Sequence, residues 1–576
     1  MRMDSLSLNH FRLRLSEVEA LPQWALLGFL SGLLTAAVIL AFRYAITLPL
    51  EAGLPDGAES FEQLSPAMRF ALPIGGGLIV GLVLWRWPAS SGVGITHVLE
   101  RLSYHQGRMP LGNLLTQFIA GVLMLGSGHS GGREGPAVHL GAGVSSLLGQ
   151  RLKLPNNSLR TLVGCGTAAA IAASFNTPIA GIIFAMEVVM MEYTVAGFIP
   201  VLVAAVTAAL AFQLLHGDEV HVLLPPLDLY TLSEVPFILL LGVIIGLMAV
   251  VFTRIATFSH RLNDYPIWLR LPLAGLAVGL VAQWMPQVMG IGYDTLTEIL
   301  TGNSTFELLL LLALAKLAVT AFSVGVGAPI GLIGPSLLIG AAAGGGIGLL
   351  GIAAANQPVS EVTLYALLGM GAMMAATLQA PLAALLALLE LTLNPNILFP
   401  GMLAIITSTL IYRFFTPQGS VFQALLGLRG LDWRRAPLDH FLDKTSVISL
   451  MRGHINAPER LTTHAGAEQL AATPGDWILI SGEHAHVALA RADLALYLLQ
   501  TGGDEIPKDT PLDLLELPAL RRDLATIEIQ ATLKDALNRM NEHNVDGLCV
   551  MSFEGAPRGL LFRDDIEQQF RRSGHL

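Results

Sequence analysis

Long apolar runs recur along most of this chain and are parted by short polar turns. They fall at about 24–49, 69–87, 111–126, 159–173, 178–192, 196–215, 235–257, 267–285, 305–323, 362–376, 379–393 and 398–415. None shows the strict alternation of a half-buried strand, so the pattern predicts an all-α, polytopic membrane part. Several runs fall short of the roughly 20 residues that a helix needs to cross a bilayer, or are interrupted by Gly and Pro. Such broken helices are stable only where their open ends face protein or an aqueous cavity, as in transporters with sites near the midplane. Residues 1–20 carry Arg2, Arg12, Arg14, Glu17 and Glu19 without a small-residue cleavage site, which reads as a retained amphipathic segment.

Composition fits this reading. Of 576 residues 53% are hydrophobic and 13% charged, with 59 glycines and a mean hydropathy of +0.61, outside the range of soluble globular domains. The net charge of −10 gathers largely in the polar ends and leaves no basic footprint for nucleic acid. Cys165 and Cys549, the two cysteines, form neither a metal pattern nor a disulfide framework.

Within this apolar setting, Gly132-Arg133-Glu134-Gly135-Pro136 places a carboxylate among glycines at the start of a helix. A charge at membrane depth is costly and marks a functional site by default. Pro136 suits a first helical turn, and Val138 to Leu148 continue as an apolar, glycine-spaced helix. The unpaired N–H groups of such a turn carry the positive end of the helix dipole and form an anion site made of backbone. Glu134 is placed to occupy that site as a tethered anion and to leave it when protonated or displaced.

The chain also repeats itself. Gly132-x-x-Gly135-Pro136-x4-Gly141 recurs as Gly331-x-x-Gly334-Pro335-x4-Gly340, an offset of 199. Gly164-x-Gly166 recurs as Gly369-x-Gly371, and Pro178-Ile179-Ala180-x6-Glu187 as Pro381-Leu382-Ala383-x6-Glu390, at offsets of 205 and 203. Two halves of this kind present two helix N-termini to a shared site.

These residues carry a resemblance. Gly132 to Pro136, the run Phe175-Asn176-Thr177-Pro178-Ile179-Ala180-Gly181, and Gly331-Leu332-Ile333-Gly334-Pro335 resemble motifs of the CLC family of chloride channels and proton-coupled chloride antiporters, over roughly residues 20–430. The resemblance implies two inverted repeats with broken helices and a homodimer with one anion pathway per subunit. It also implies small inorganic anions and protons as cargo, and Glu134 as external gate and proton acceptor. It places the protein in a bacterial inner membrane, with its C-terminal tail in the cytoplasm, and makes it no enzyme.

Carried over residue by residue, the family's anion site falls on Val93, Gly94, Arg133, Glu134, Gly135, Leu332, Ile333 and Phe422. Two departures stand out. Gly92-Val93-Gly94-Ile95-Thr96 has Val93 where the family supplies a serine hydroxyl, and Gly419-Ser420-Val421-Phe422 has Phe422 at the usual tyrosine. The central anion is then left to the backbone amides of Leu332 and Ile333, with those of Arg133 to Gly135 outside. Glu187-Val188 also lacks the second acid that many antiporters of the family use as inner proton acceptor. Antiporter and passive channel therefore both stay open.

Other candidates have plainer readings. Glu187 and Glu390 are expected to hold neighbouring helix ends, and Lys316 to snorkel or pair unless it attracts anions. Gly128-His129-Ser130-Gly131 matches the G-x-S-G of intramembrane serine proteases, but Ser130 lacks an obvious histidine partner. His97, His129 and His139 lack the clustering expected of a metal site, and no metal is expected. Met186, Met190 and Met191 read as packing.

Beyond Asp432 charge becomes frequent, and Trp433-Arg434-Arg435 closes the membrane part, giving domains of 1–432 and 433–576. In the tail, Val487 to Leu494 and Gly559 to Ile566 repeat a β-β-α unit. The second copy, about 520–573, resembles a cystathionine-β-synthase (CBS) module, making the tail a small α/β CBS-like pair. That resemblance implies an adenine nucleotide held by Asp565 and Asp493. Phe562 and Ala490 replace the hydroxyl residue three positions earlier, so a structural role competes, and no cofactor is the reading adopted.

Overall fold

The computed structural model describes residues 21–572 apart from 55–56, 58, 89–91, 194, 217–231, 303, 355–360, 432–440, 444, 454, 482–485, 502–506, 508 and 553–554. The amphipathic segment expected at 1–20, and the Trp433-Arg434-Arg435 closure with the junction placed at 432/433, lie outside the described residues. The chain forms two compact units, 21–152 with 159–433, and 434–576 with 153–158.

The first half of the membrane unit runs α1 (Leu21–Gly53), α2 (Pro66–Arg86), α3 (Gly94–Tyr104), α4 (Leu111–Gly126), α5 (Glu134–Arg151), α6 (Asn156–Phe175), α7 (Pro178–Phe184) and α8 (Val195–His216). The second half runs α9 (Val235–Ser259), α10 (Ile267–Val281), α11 (Tyr293–Leu300), α12 (Phe306–Gly325), α13 (Ile333–Ala354), α14 (Val362–Leu378), α15 (Pro381–Thr392), α16 (Leu398–Phe415) and α17 (Val421–Leu428). Among the described residues, 8 helices are long and apolar enough to cross a membrane. One of them, α13, is absent from the apolar runs, although the repeat marks its start; it carries glycines at 340 and 344–346. In lipid, where all backbone groups bond internally, those glycines serve close helix packing.

The repeated glycines mark where backbones cross. A methyl group at Gly141 would strike the carbonyl of Gly166, and one at its repeat mate Gly340 would strike that of Gly369. The outer helices follow the same plan. Gly28 and Gly32 of α1 lie against Pro200 and Ala204 of α8, while Gly242 and Gly246 of α9 lie against Ala404 and Ser408 of α16. Small residues every fourth position let helices approach closely enough for dispersion to hold them, since lipid supplies no hydrophobic drive.

The second unit is a small α/β fold. Strands β1 (Leu461–Thr463), β2 (Trp477–Ser481), β3 (His486–Ala490), β4 (Pro511–Asp513), β5 (Arg521–Glu528), β6 (Gly547–Met551) and β7 (Pro557–Phe562) form a β1-β4 pair and a five-stranded sheet of order β2-β3-β5-β6-β7. The two β-β-α repeats appear as β2-β3 followed by α19 (Arg491–Thr501) and β6-β7 followed by α21 (Arg563–Arg572), each preceded by a helix, α18 (His464–Ala472) or α20 (Leu533–His543). Strand β5 joins them, antiparallel to β3 and parallel to β6. Thr532 and Asp535 close α20 with a reciprocal capping box. Cys549 is buried in β6, and burial pushes its thiol up to about 11, which leaves it unreactive.

Gly340→Val should therefore force the α13–α14 crossing apart and cost about 1–3 kcal/mol. Gly351→Ala, on the same helix but with open space around it, should cost nothing or stabilise by about 0.5–1 kcal/mol. Thermal midpoints of the two variants in detergent, compared with the parent, check this, and equal midpoints would contradict the crossing.

Candidate functional site

Two helix N-termini meet because their leading glycines pair with each other. Gly132 N–H donates to Gly331 O and Gly331 N–H to Gly132 O, both at 2.7 Å. These are equivalent positions of the repeat, and reciprocal pairing of equivalent residues requires a two-fold relation between the halves. Side chains have no room here: a methyl at Gly135 would stand 2.6 Å from Gly331 Cα. The starts of α5 and α13 are thereby brought face to face, and their positive ends converge.

Glu134 fills the convergence. The first residue of α5, it is 0% exposed, and its Oε2 accepts the Gly334 N–H at 3.2 Å, from the opposite repeat. Its Oε1 accepts the hydroxyl of Tyr293 at 2.5 Å. Arg133 stays partly exposed and stacks over the Tyr293 ring at 5.2 Å. Beside it a small pocket is lined by Arg43, Thr47, Glu59, Arg133 and Gly290. The carboxylate thus sits against the converging N-termini of α5 and α13.

The other expected site residues are placed as follows. Leu332 and Ile333 lie at the entry of α13, each 1% exposed, and the Ile333 side chain borders an apolar pocket with Phe175, Thr177, Ala180 and Leu337. Val93 caps the start of α3 in extended conformation without a side-chain hydrogen bond. Phe422 is buried on α17, which packs against α3. The Gly94 N–H donates to Gln117 Oε1 at 2.6 Å. Gln117 Nε2 in turn donates to Pro329 O at 3.3 Å, tying the start of α3 to the second repeat's loop.

Sequence reasoning missed Gln117, Tyr293 and Gly334. Only Gly334 carried a signal, as the repeat mate of Gly135. Gln117 and Tyr293 stand alone in their segments and enter the site through tertiary structure.

Glu187 and Glu390 do hold helix ends, and they do so reciprocally. Glu187 accepts the N–H groups of Leu382 (3.4 Å) and Ala383 (2.9 Å) at the start of α15. Glu390 accepts those of Ile179 (2.9 Å) and Ala180 (2.7 Å) at the start of α7. Each carboxylate neutralises the other half's helix dipole. Lys316 does not snorkel, and among the described residues it forms no direct ion pair. It is 0% exposed and donates to the carbonyls of Val288 (3.0 Å), Met289 (3.4 Å) and Gly290 (3.0 Å). Ser130 pairs with Thr320 at 2.8 Å and His129 with Ser127 at 3.1 Å, so the two form no nucleophile–base dyad. His97 Nδ1 and His139 Nε2 do meet, at 2.8 Å, with Arg101 Nε donating to His97 Nε2 at 3.1 Å. No group of three or more metal-binding side chains exists among the described residues.

The family model described as voltage gated chloride channel matches residues 76–413, which contain both anion loops and both reciprocal caps. The chain belongs to this family. It is 34% identical over 383 residues to a ClcB-like chloride channel protein of Ralstonia nicotianae, covering 64% of this chain and 88% of that protein. The voltage-gated ClC-type chloride channel ClcB of Salmonella typhi is 32% identical over 394 residues, 66% of this chain and 93% of the relative. An H(+)/Cl(-) exchange transporter ClcA of Vibrio cholerae is 32% identical over 297 residues, 50% of this chain, and the match spans 64% of that transporter's length. In fold, the chain is similar to a slow cyanobacterial Cl-/H+ antiporter (TM-score 0.61, 22% identity, 70% of this chain and 97% of that one). It is also similar to a eukaryotic CLC transporter (TM-score 0.58, 18% identity, 94% of this chain and 97% of that one). With its apolar helices, this CLC chain is an integral membrane protein.

In the tail of this CLC protein, the two acids expected to meet a nucleotide are already engaged. Asp565 accepts Arg452 Nη2 at 2.8 Å, Arg452 Nε at 3.2 Å and the Phe562 N–H at 3.3 Å. Arg452 also pairs with Asp476 at 2.9 Å. The Asp565 hydrogen bond, foremost, holds the Arg452 guanidinium above its usual range. Asp493 accepts the Leu520 N–H at 2.7 Å. Trp477 and Phe562 pack ring to ring beside Asp565, 5.0 Å apart, with Arg522 over both.

Proposed function

We propose that this protein carries small monovalent inorganic anions, chloride among them, across the membrane along the line where α5 and α13 meet, with Glu134 as external gate. The observation that carries the reading is the fully buried Glu134 carboxylate on the Gly334 N–H of the opposite repeat. A tethered anion in a backbone site competes with a free one, and protonation removes it from the competition. The named relatives are channels and exchange transporters, which supports transport in place of catalysis.

Proton antiport through Glu134 is the first reading of coupling. A passive channel is the second, favoured by Val188, which stands buried in the π-helical turn Ala185–Met190 where many antiporters carry an acid. We read the assembly as a homodimer in a bacterial inner membrane, with residues 433–576 as a cytoplasmic CBS-like pair. Its role is structural, because Arg452 holds Asp565 and a nucleotide ribose would have to displace that ion pair.

Anion flux in liposomes with simultaneous proton recording tests the gate. Glu134→Gln should abolish proton movement and leave anion flux running with little dependence on external pH. Retention of full coupling and of the pH dependence would contradict the assignment.

Selectivity follows from what the central site lacks. Each missing hydroxyl removes a hydrogen bond to a charged ligand, worth about 1.5–3 kcal/mol where nothing replaces it. Weakly hydrated anions such as nitrate or thiocyanate lose less than chloride does. Val93→Ser, alone or with Phe422→Tyr, should raise chloride flux relative to nitrate about fivefold, equivalent to about 1 kcal/mol. Flux ratios from the same liposomes check it, and an unchanged ratio in an active double mutant would place those two side chains away from the anion.

A further inference from the structure

Tyr293 reaches the gate from outside both anion loops, and its delivery is built in detail. The loop before it is pinned by Lys316, whose ammonium takes the carbonyls of residues 288–290. Gly131 N–H donates to Gly290 O at 3.4 Å and Gly290 N–H to Gly128 O at 3.2 Å, so the same loop is laced to the segment that leads into α5. Gly292 turns the chain at φ +89°, a conformation that favours glycine, and starts α11. Tyr293 is the first residue of that helix. Its backbone N–H donates to Glu59 Oε2 at 2.7 Å, its ring lies under the Arg133 guanidinium, and its hydroxyl ends on Glu134.

A phenol O–H given to a carboxylate is a short, charge-assisted hydrogen bond, stronger than one between neutral groups. Here it anchors Glu134 on the convergent N-termini and so keeps the gate shut.

We infer that Tyr293 is a positioning residue, a latch whose hydroxyl holds Glu134 in its occluding place and sets the external pH at which the gate lets go. The inference rests on Glu134 being the external gate. Arg133, just before α5, and Glu59, from the α1–α2 connection, act on Tyr293 besides Glu134; Glu59, Glu62 and Asp294 act in turn on Lys316 of α12, and Arg43 of α1 lines the pocket beside Glu59 and Arg133. Tyr293→Phe leaves all of them in place, keeps the ring under Arg133 and removes only the O–H.

The test is anion flux in liposomes against external pH, in four proteins: the parent, Tyr293→Phe, Glu134→Ala and the double variant. With the donor gone, Glu134 is held by the Gly334 N–H alone and leaves its place more readily, so the half-activation pH of Tyr293→Phe should move upward by about one unit, roughly tenfold in proton concentration. In the Glu134→Ala background the same substitution should leave the flux profile where it was, because the latch has nothing to hold. An unmoved half-activation pH in Tyr293→Phe would overturn the latch while leaving the gate standing. So would a change of equal size in both backgrounds, or loss of flux in both, since each marks a general effect on the pathway. If Glu134→Ala alone keeps the parental pH dependence, the gate reading has failed and the latch falls with it.

Discussion

The two hydrogen bonds between Gly132 and Gly331 are the constraint on which the rest of the site depends. They join equivalent residues, so they impose a two-fold relation, and they leave space for nothing larger than hydrogen at either residue. They also create an electrostatic problem. Two helices meet head to head, each with about half a positive charge at its N-terminus, in buried surroundings. A buried carboxylate, which alone would be costly at this depth, is favourable there, and Glu134 supplies it. The same solution recurs at Glu187 and Glu390, where each half caps a broken helix of the other. Broken helices in an apolar medium need their open ends satisfied, and this chain satisfies three sets with carboxylates.

Glu134 differs from the other two in how it is held. Glu187 and Glu390 each rest on two backbone N–H groups and have no reason to move. Glu134 rests on one backbone amide and one side-chain hydroxyl, beside a pocket lined by Arg43 and Arg133. A carboxylate held by a side chain from a third segment can be released without unmaking a helix cap. That asymmetry sets Glu134 apart from the two structural caps and is what the proposed gate requires.

Much of this was legible in the sequence because it is carried by residues with few alternatives. Glycines at crossings, prolines at helix starts and acids in apolar runs recur in both halves, and the repeat paired the right positions before any coordinates did. What stayed hidden is carried by residues with many alternatives. Gln117 takes the Gly94 amide from 23 positions away, and nothing in its neighbourhood distinguishes it from any polar residue on a short helix. Tyr293 lies 159 positions from Glu134 and joins it because Lys316, the Gly128–Gly131 segment and Glu59 together fix the loop that leads into α11. Of helix α13 the sequence showed only the start, through the repeat; glycines that break helices in water permit close packing in lipid and hid the rest. In the tail Asp565 stands out by its place in the β-β-α repeat, but its partner Arg452, 113 positions earlier, gives no sign of the ion pair.

The central claim is that Glu134 occupies an anion's place between two helix N-termini. Anomalous scattering from crystals grown in bromide tests it most directly, by comparing the parent protein with Glu134→Gln. The account predicts a bromide peak in the variant at the position of the Glu134 carboxylate, within hydrogen-bond reach of the Gly334 N–H, and a weaker peak or none there in the parent. Equal bromide density in both proteins, or a variant whose peaks all lie away from Gly334, would contradict it.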